Sequence, residues 1–588
     1  MAALSVVLPC IALLAASPTH GRTLTQADLD RGVAPQPGDQ VILRDFSRLK
    51  PQDALSKTSV RGKWWLRRYR TDDGREQTML MTVERDMDKP ETCLVPAVTY
   101  PLGLRGWYEI WVATYRGPYG GGVDVRLTGD DCFVRMDPQQ VAFHPKRPKP
   151  RVGAIVELQY KPAADLTGQG LVIRQPFGSY ESFHWGFCEA SLAYVRLVRL
   201  SDAQVAAFRA DQARADRRRI AYDDDNFSRF WMWGGKDKYD VLRTIEMFRY
   251  HDIGFYGLCL GANTALHVPT PYTDLKVPGG RRLGDERARK AFRAFQKQGI
   301  DRLTLMTERA HKYGIKMLPT MRMSAIYQRG PTYKALSKWV LKDGRHLDFG
   351  QPQIREFFVK VVRYILETYD VDGFTLDFTR HCIHFNPDDP DKVVKMNTFC
   401  KAMRTMVNQV SAKKGRKLLL ATTFSELDYV SGFQRHNFKI NVKPAERLAI
   451  QGIDVQAWIK NGYFDIIMPE GVNIEKFIKM TRGTSTQCWP RWTYTTDRHG
   501  RRLGKNVHDP TPKEDKKDRA INPHNGPLDY EGGWLELLDA GADGLYIFNN
   551  AQGWPVLRRM GHPDEVRRRV RAGKVHGLIE GPAIRFAD

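Results

Sequence analysis

The residues best suited to chemistry in this chain are acidic, and they stand where short apolar runs end. Leu376-Asp377-Phe378-Thr379-Arg380-His381 sets one carboxylate into an otherwise apolar stretch. That placement costs free energy unless the group is paired or used. Met468-Pro469-Glu470-Gly471 ends a second run in the same way, and Phe424-Ser425-Glu426-Leu427-Asp428 a third. Two carboxylates across a cleft are what cleavage of a glycosidic bond needs: one protonates the leaving oxygen, the other attacks the sugar or activates water. Asp377 reads as nucleophile or base and Glu470 as the acid, with Glu426 competing for the acid role. The alternatives are structural: Asp377 as the partner of Arg380 or another arginine, Glu470 and Glu426 as solvated loop residues.

Other runs end in groups suited to holding a sugar. Arg322, Arg380, His381, His384, Trp489, Arg491, Trp492, Asn549 and Asn550 offer donors and aromatic faces, which match the hydroxyl edges and apolar faces of a sugar ring. The tryptophans could equally fill an interior. His381 and His384 lie three apart and could ligate a metal, but one such pair in a loop does not define a site, so neither a metal nor a cofactor is assigned. A metal-dependent lyase or hydrolase would require both histidines to converge with an acidic residue. Asp223-Asp224-Asp225-Asn226 lacks the spacing of a calcium loop and reads as a solvated turn.

These groups must be positioned by the elements before them. From about residue 220 onward the pattern repeats helix, short turn and apolar strand, with strands read at Ile220 to Asp223, Gly254 to Leu260, Lys316 to Met321, Gly373 to Phe378, Lys417 to Phe424, Phe464 to Pro469, Thr486 to Trp492 and Gly544 to Phe548. Ile354, Phe357, Phe358, Val361, Ile365 and Leu366 share one helical face behind Pro352, and Met396, Phe399, Cys400, Met403, Val407 and Val410 share another. HKYGIKMLPTM, AKKGRKLLLATTF, IKNGYFDIIMPE and DAGADGLYIFNN each place a glycine between helix and strand. Eight such units point to an α/β fold of the (β/α)8 TIM-barrel type, whose catalytic groups project from the C-terminal strand ends. No GxGxxG or GxxxxGK[ST] follows a strand, which counts against dinucleotide and P-loop folds.

Before that, from about Thr23 to Leu200, short β-rich runs alternate with Asp-Gly, Pro-Tyr-Gly-Gly-Gly and Thr-Gly-Asp-Asp turns, the spacing of an all-β sandwich. The expected organisation is a signal peptide at 1–22, a β-sandwich at 23–200, a helical linker at 201–219 and the barrel at 220–588. Leu4 to Ala16 has the length of a signal-peptide core, although no basic residue precedes it and Pro9 interrupts it, so a secreted or periplasmic location is expected. No later run is long and apolar enough to span a membrane. Of the eight cysteines none forms a CxxC pair; free thiols are the default, with a bridge from Cys93 to Cys132 or Cys188 the alternative.

The 588 residues carry a net charge of +24, which steers polyanions toward the chain. No zinc-finger spacing, RNP-like strand or basic zipper supports nucleic acid, which leaves an acidic polysaccharide open.

YDVDGFTLDFTRHCIHF and GIDVQAWIKNGYFDIIMPEG resemble the bacterial glycosyl-hydrolase-like TIM-barrel proteins, over roughly residues 220 to 575. The resemblance implies an exported glycosidase acting on a polysaccharide or oligosaccharide. It also implies that the last aspartate of a D-G-h-x-h-D motif, here Asp377, is catalytic, and that the preceding β-rich half is an accessory sandwich of carbohydrate-binding type. The second motif often ends Pro-Gln in that family, so Glu470 departs from the pattern. The reading from another class is a non-catalytic glycan-binding or surface-scaffold protein that retains the barrel for recognition.

Overall fold

The structure, a computed structural model, describes residues 21–82, 94–117, 120–138, 153–176, 189–276, 279, 283–380, 382–426, 447–470, 474–491, 527–549, 555–572, 574 and 576–587. It is a mixed α/β protein. The first part forms two sheets. The larger runs Thr23–Thr25, Gln40–Leu43, Tyr194–Arg199, Trp107–Arg116, Ala154–Asp165, Leu578–Phe586, Trp64–Thr71, Glu76–Met81, Glu189–Leu192 and Gly120–Gly121. The smaller runs Val134–Met136, Val123–Leu127, Gly170–Arg174 and Val98–Pro101. Alternate residues of both, among them Val41, Val112, Val156, Val125, Leu171 and Ile173, meet in one buried core.

The sequence reading placed everything from 220 to 588 in the second half. Leu578–Phe586 instead pairs antiparallel with Ala154–Asp165 on one side and Trp64–Thr71 on the other. The last described strand therefore lies in the same sheet as the first. A short apolar run carries no signal of which sheet will hydrogen-bond it, so its position in the sequence was a poor guide.

The second part supplies eight strands that run parallel to their neighbours. We number them β1 (Ile220–Asp224), β2 (Ile253–Ala262), β3 (Lys316–Met317 continued by Thr320–Arg322), β4 (Gly373–Asp377), β5 (Leu419–Ser425), β6 (Ile466–Glu470), β7 (Gln487–Cys488) and β8 (Leu545–Phe548). Each of β1 to β6 pairs with the next. Arg491 just beyond β7 bridges Tyr546 of β8, and β8 pairs back on β1.

Helices fill the intervals with their apolar faces inward. Ile354, Phe358, Val361, Val362, Ile365 and Leu366 of Pro352–Thr368 are buried, as are Met396, Phe399, Cys400, Met403, Val407 and Val410 of Lys392–Lys414. Gly415 closes the second helix in the left-handed conformation at φ 63°, where a side chain would be strained. Gly314, Gly462 and Gly541 take the same region at the matching junctions. A separate small cluster of Ala221, Phe255, Leu318, Ala421, Ile466, Met468, Trp489 and Tyr546 comes from the opposite face of the strands. Period-two alternation then sends Asp223, Asp377, Thr423 and Glu470 to that same inner face. Among the described residues no helix is long and apolar enough to cross a membrane. Cys132, Cys259, Cys382, Cys400 and Cys488 are buried free thiols, while Cys10, Cys93 and Cys188 lie outside the described residues.

Candidate active site

Asp377 is the last residue of β4, in register with Arg322 of β3 and Thr423 of β5. Its Oδ1 accepts from Thr423 Oγ1 at 2.9 Å, from the Thr379 amide at 2.8 Å and from the Arg380 amide at 3.4 Å. Arg322 Nε lies 4.0 Å from Oδ2. The Arg380 guanidinium turns away instead and gives Nε to the Tyr327 hydroxyl at 3.3 Å. The guanidinium beside the Asp377 carboxylate is therefore that of Arg322 and not that of Arg380. Burial opposes the charge on Arg322, but Cys259, Tyr327, Asp225 and Asp377 outweigh burial and hold the guanidinium above the usual arginine range.

Glu470 ends β6 on the same inner face, and its Oε2 accepts from Arg491 Nη1 at 3.0 Å. Glu426 does not join it. Ser425 is in register with Glu470, so Glu426, one residue on, falls to the outer face. There its buried Oε1 meets Lys476 Nζ of the helix Ile474–Thr481 at 2.6 Å. Oε2 has no hydrogen-bond partner among the described residues.

Asp223 was read as part of a solvated turn, and the structure corrects this. Its side chain is buried at the end of β1 and accepts from Tyr546 Oη at 2.8 Å and from Thr320 Oγ1 at 3.2 Å. Burial first, and the negative charge of Asp377 second, push its carboxyl up to about 7. Gly257 leaves it room, since a Cβ there would fall 2.7 Å from Asp223 Oδ1. Asp224, on the outer face, pairs with Arg229 Nε at 3.0 Å and with the Tyr256 hydroxyl. Asp225 folds the loop, accepting the Phe227 and Ser228 amides. The signal was present in the alternation Ala221, Asp223, but a run of three aspartates before an asparagine imitates a turn.

Asn549 ties this loop to β8: its amide donates to the Asp223 carbonyl at 2.8 Å, and its Oδ1 accepts the Asp225 amide at 2.9 Å. His384 does not reach the cleft. It is buried against Phe349 and Phe378, neither ring nitrogen has a hydrogen-bond partner among the described residues, and burial, then His346, pushes it down to about 3. His381, Trp492 and Asn550 lie outside the described residues. No group of three or more potential metal ligands occurs among the described residues.

Trp489 lies at the other end of the strands. Its ring packs against Phe255 with centroids 5.3 Å apart, and Gly254 and Gly544 leave space for the indole. With Phe255, Lys316, Leu419, Ile466 and Gln487 it lines a cavity of about 810 Å³ at the N-terminal strand ends. Tryptophan at a strand end carries no mark of which end it closes.

No family model matches the chain, and no curated protein matches it. Among solved structures it is similar to a noncanonic maltogenic α-amylase from Thermotoga neapolitana, with 14% identity and a TM-score of 0.30, over 57% of this chain and 67% of that one. A glycoside hydrolase family 18 N-acetylglucosaminidase from Paenibacillus barengoltzii gives 10% identity and a TM-score of 0.33, over 58% and 99%. An α-amylase from Lactobacillus plantarum gives 11% and 0.34, over 59% and 80%. These neighbours are glycoside hydrolases; at such scores the likeness decides neither this chain's substrate nor its chemistry.

Proposed function

We propose that this chain is a glycoside hydrolase built on a (β/α)8 barrel, with the preceding sheets forming a glycan-binding sandwich. Export through the leader at 1–22 belongs to the same reading. The barrel reading is supported by register. Stepped from Asp223 across the paired positions of all eight strands, it returns to the first strand near Ala215, about eight residues earlier, the shear of such barrels. Alternate strands of such a barrel supply alternate tiers. Asp223, Thr320 and Thr423 then occupy one tier, with Asp377 and Glu470 in the tier above it, nearer the mouth.

The observation that carries the proposal is this convergence of inward carboxylates at the C-terminal strand ends. Asp377, with hydrogen bonds gathered on Oδ1, leaves Oδ2 to attack the anomeric carbon or to take a proton from water. Glu470 is the acid: once it has taken a proton from solvent, it gives that proton to the leaving oxygen as the glycosidic C–O bond breaks. Asp223 holds a proton up to about pH 7, so the floor adds no second negative charge beneath Asp377.

The test is reducing-sugar release from neutral, uronic and sulfated polysaccharides by the wild type, Asp377→Asn and Glu470→Gln. Each substitution should lower kcat by roughly 10² or more while the protein stays folded. Cleavage undiminished in Asp377→Asn would refute the assignment. Binding of a glycan with no cleavage by the wild type would move the chain to the non-catalytic reading.

A further inference from the structure

Tyr327, five residues after Arg322, has 44% of its surface exposed. Three cations gather on it. Lys276 Nζ lies 5.3 Å from the ring centroid, Arg322 Cζ lies 5.8 Å from it, and Arg380 Nε donates to the hydroxyl at 3.3 Å. They come from three separate segments: the loop after Asp274–Leu275, the end of β3 and the loop after β4. Folding has therefore brought them together, whereas a basic run along one helix would be a solvated face. Neither Lys276 nor Arg380 forms an ion pair with a carboxylate among the described residues, and Arg322 has Asp377 only at 4.0 Å.

The three positive charges around one ring repel one another, and Asp225, Asp377 and cation–π contact with the ring offset part of that repulsion. Burial, the largest cause, holds the Lys276 ammonium below the ordinary lysine range. An anion seated between Lys276, Arg322 and Arg380 would relieve the repulsion.

We infer that Lys276, Arg322, Arg380 and Tyr327 form a subsite for a sugar bearing a carboxylate or sulfate, adjoining Asp377. The inference rests on the glycosidase reading for its placement, but its binding test does not depend on turnover. Arg322 and the Arg380 backbone touch Asp377 while both side chains approach Tyr327, so the charged sugar and the scissile bond share one cleft.

Calorimetric titration of the full chain would use short oligogalacturonates, oligomannuronates and sulfated oligogalactans, each beside a neutral counterpart. The wild type should bind one charged class, and Lys276→Met should weaken that binding roughly tenfold, the loss of one charge-assisted contact. Lys276→Arg should restore most of it, and added salt should weaken it in the wild type more than in Lys276→Met. Equal affinity for charged and neutral ligands, no binding of any charged ligand, or a Lys276→Met variant that binds as well as the wild type would each overturn the subsite. Charged-sugar binding without cleavage would leave the subsite standing and remove the hydrolase reading. Cleavage of neutral glycans alone, unchanged in Lys276→Met, would do the reverse.

Discussion

Asp223→Asn removes an ionisable group while keeping its shape, and the pH at which this matters follows from where the side chain lies. Burial, then the charge of Asp377, raises its pKa from 3.8 to about 7. About three pH units at roughly 1.4 kcal/mol each amount to about 4 kcal/mol. Below the unfolded value both states hold the proton and the group contributes nothing. As pH rises toward 7 the unfolded chain releases its proton while the folded protein keeps it, so stability falls; above 7 the loss is complete. Asparagine escapes this penalty. Thr320 and Tyr546 offer hydroxyls that can donate or accept, so both ends of the amide find a partner. Urea titrations followed by tryptophan fluorescence at pH 5 and pH 8 read the difference. The variant should gain on the wild type by up to about 3 kcal/mol between these two pH values, the remainder lying below pH 5. Parallel shifts of the two proteins would refute the buried, protonated state.

Three further outcomes follow from the geometry. Glu426→Gln should leave kcat within a few-fold of wild type, because the side chain faces Lys476 outside the strands; activity measured on any cleaved glycan decides it, with a stability change of about 1 kcal/mol, the partner being half exposed. Trp489→Ala should cost about 3 kcal/mol of stability and leave KM unaltered, since the indole fills the end opposite the carboxylates; a raised KM would return it to the substrate cleft. Truncation before residue 578 should expose Trp64–Thr71 to limited proteolysis, because the lost strand lies between it and Ala154–Asp165; an unchanged digestion pattern would count against that pairing.

Much of this was written in periodicity. The helical faces of 352–368 and 392–414, the glycines at four helix-to-strand junctions and the approximate positions of the strands need only local chemistry, because a residue's neighbours at three, four or two places away determine which face it shares. Asp377 was legible for the same reason: a charge inside an apolar run has to be accounted for. Where a strand is only a few residues long, parity and sheet partner are decided by contacts far away in sequence. That is why Glu426 and Glu470, alike in sequence, fall on opposite faces, and why Trp489 closes the end away from the carboxylates. It is also why Leu578–Phe586 joins a sheet begun more than 500 residues earlier. The burial of Asp223 depends on hydroxyls from β3 and β8, and the cations around Tyr327 come from three separate segments. Such convergence exists only once the strands have paired with one another, since a one-dimensional pattern records spacing along the chain and not distance across it.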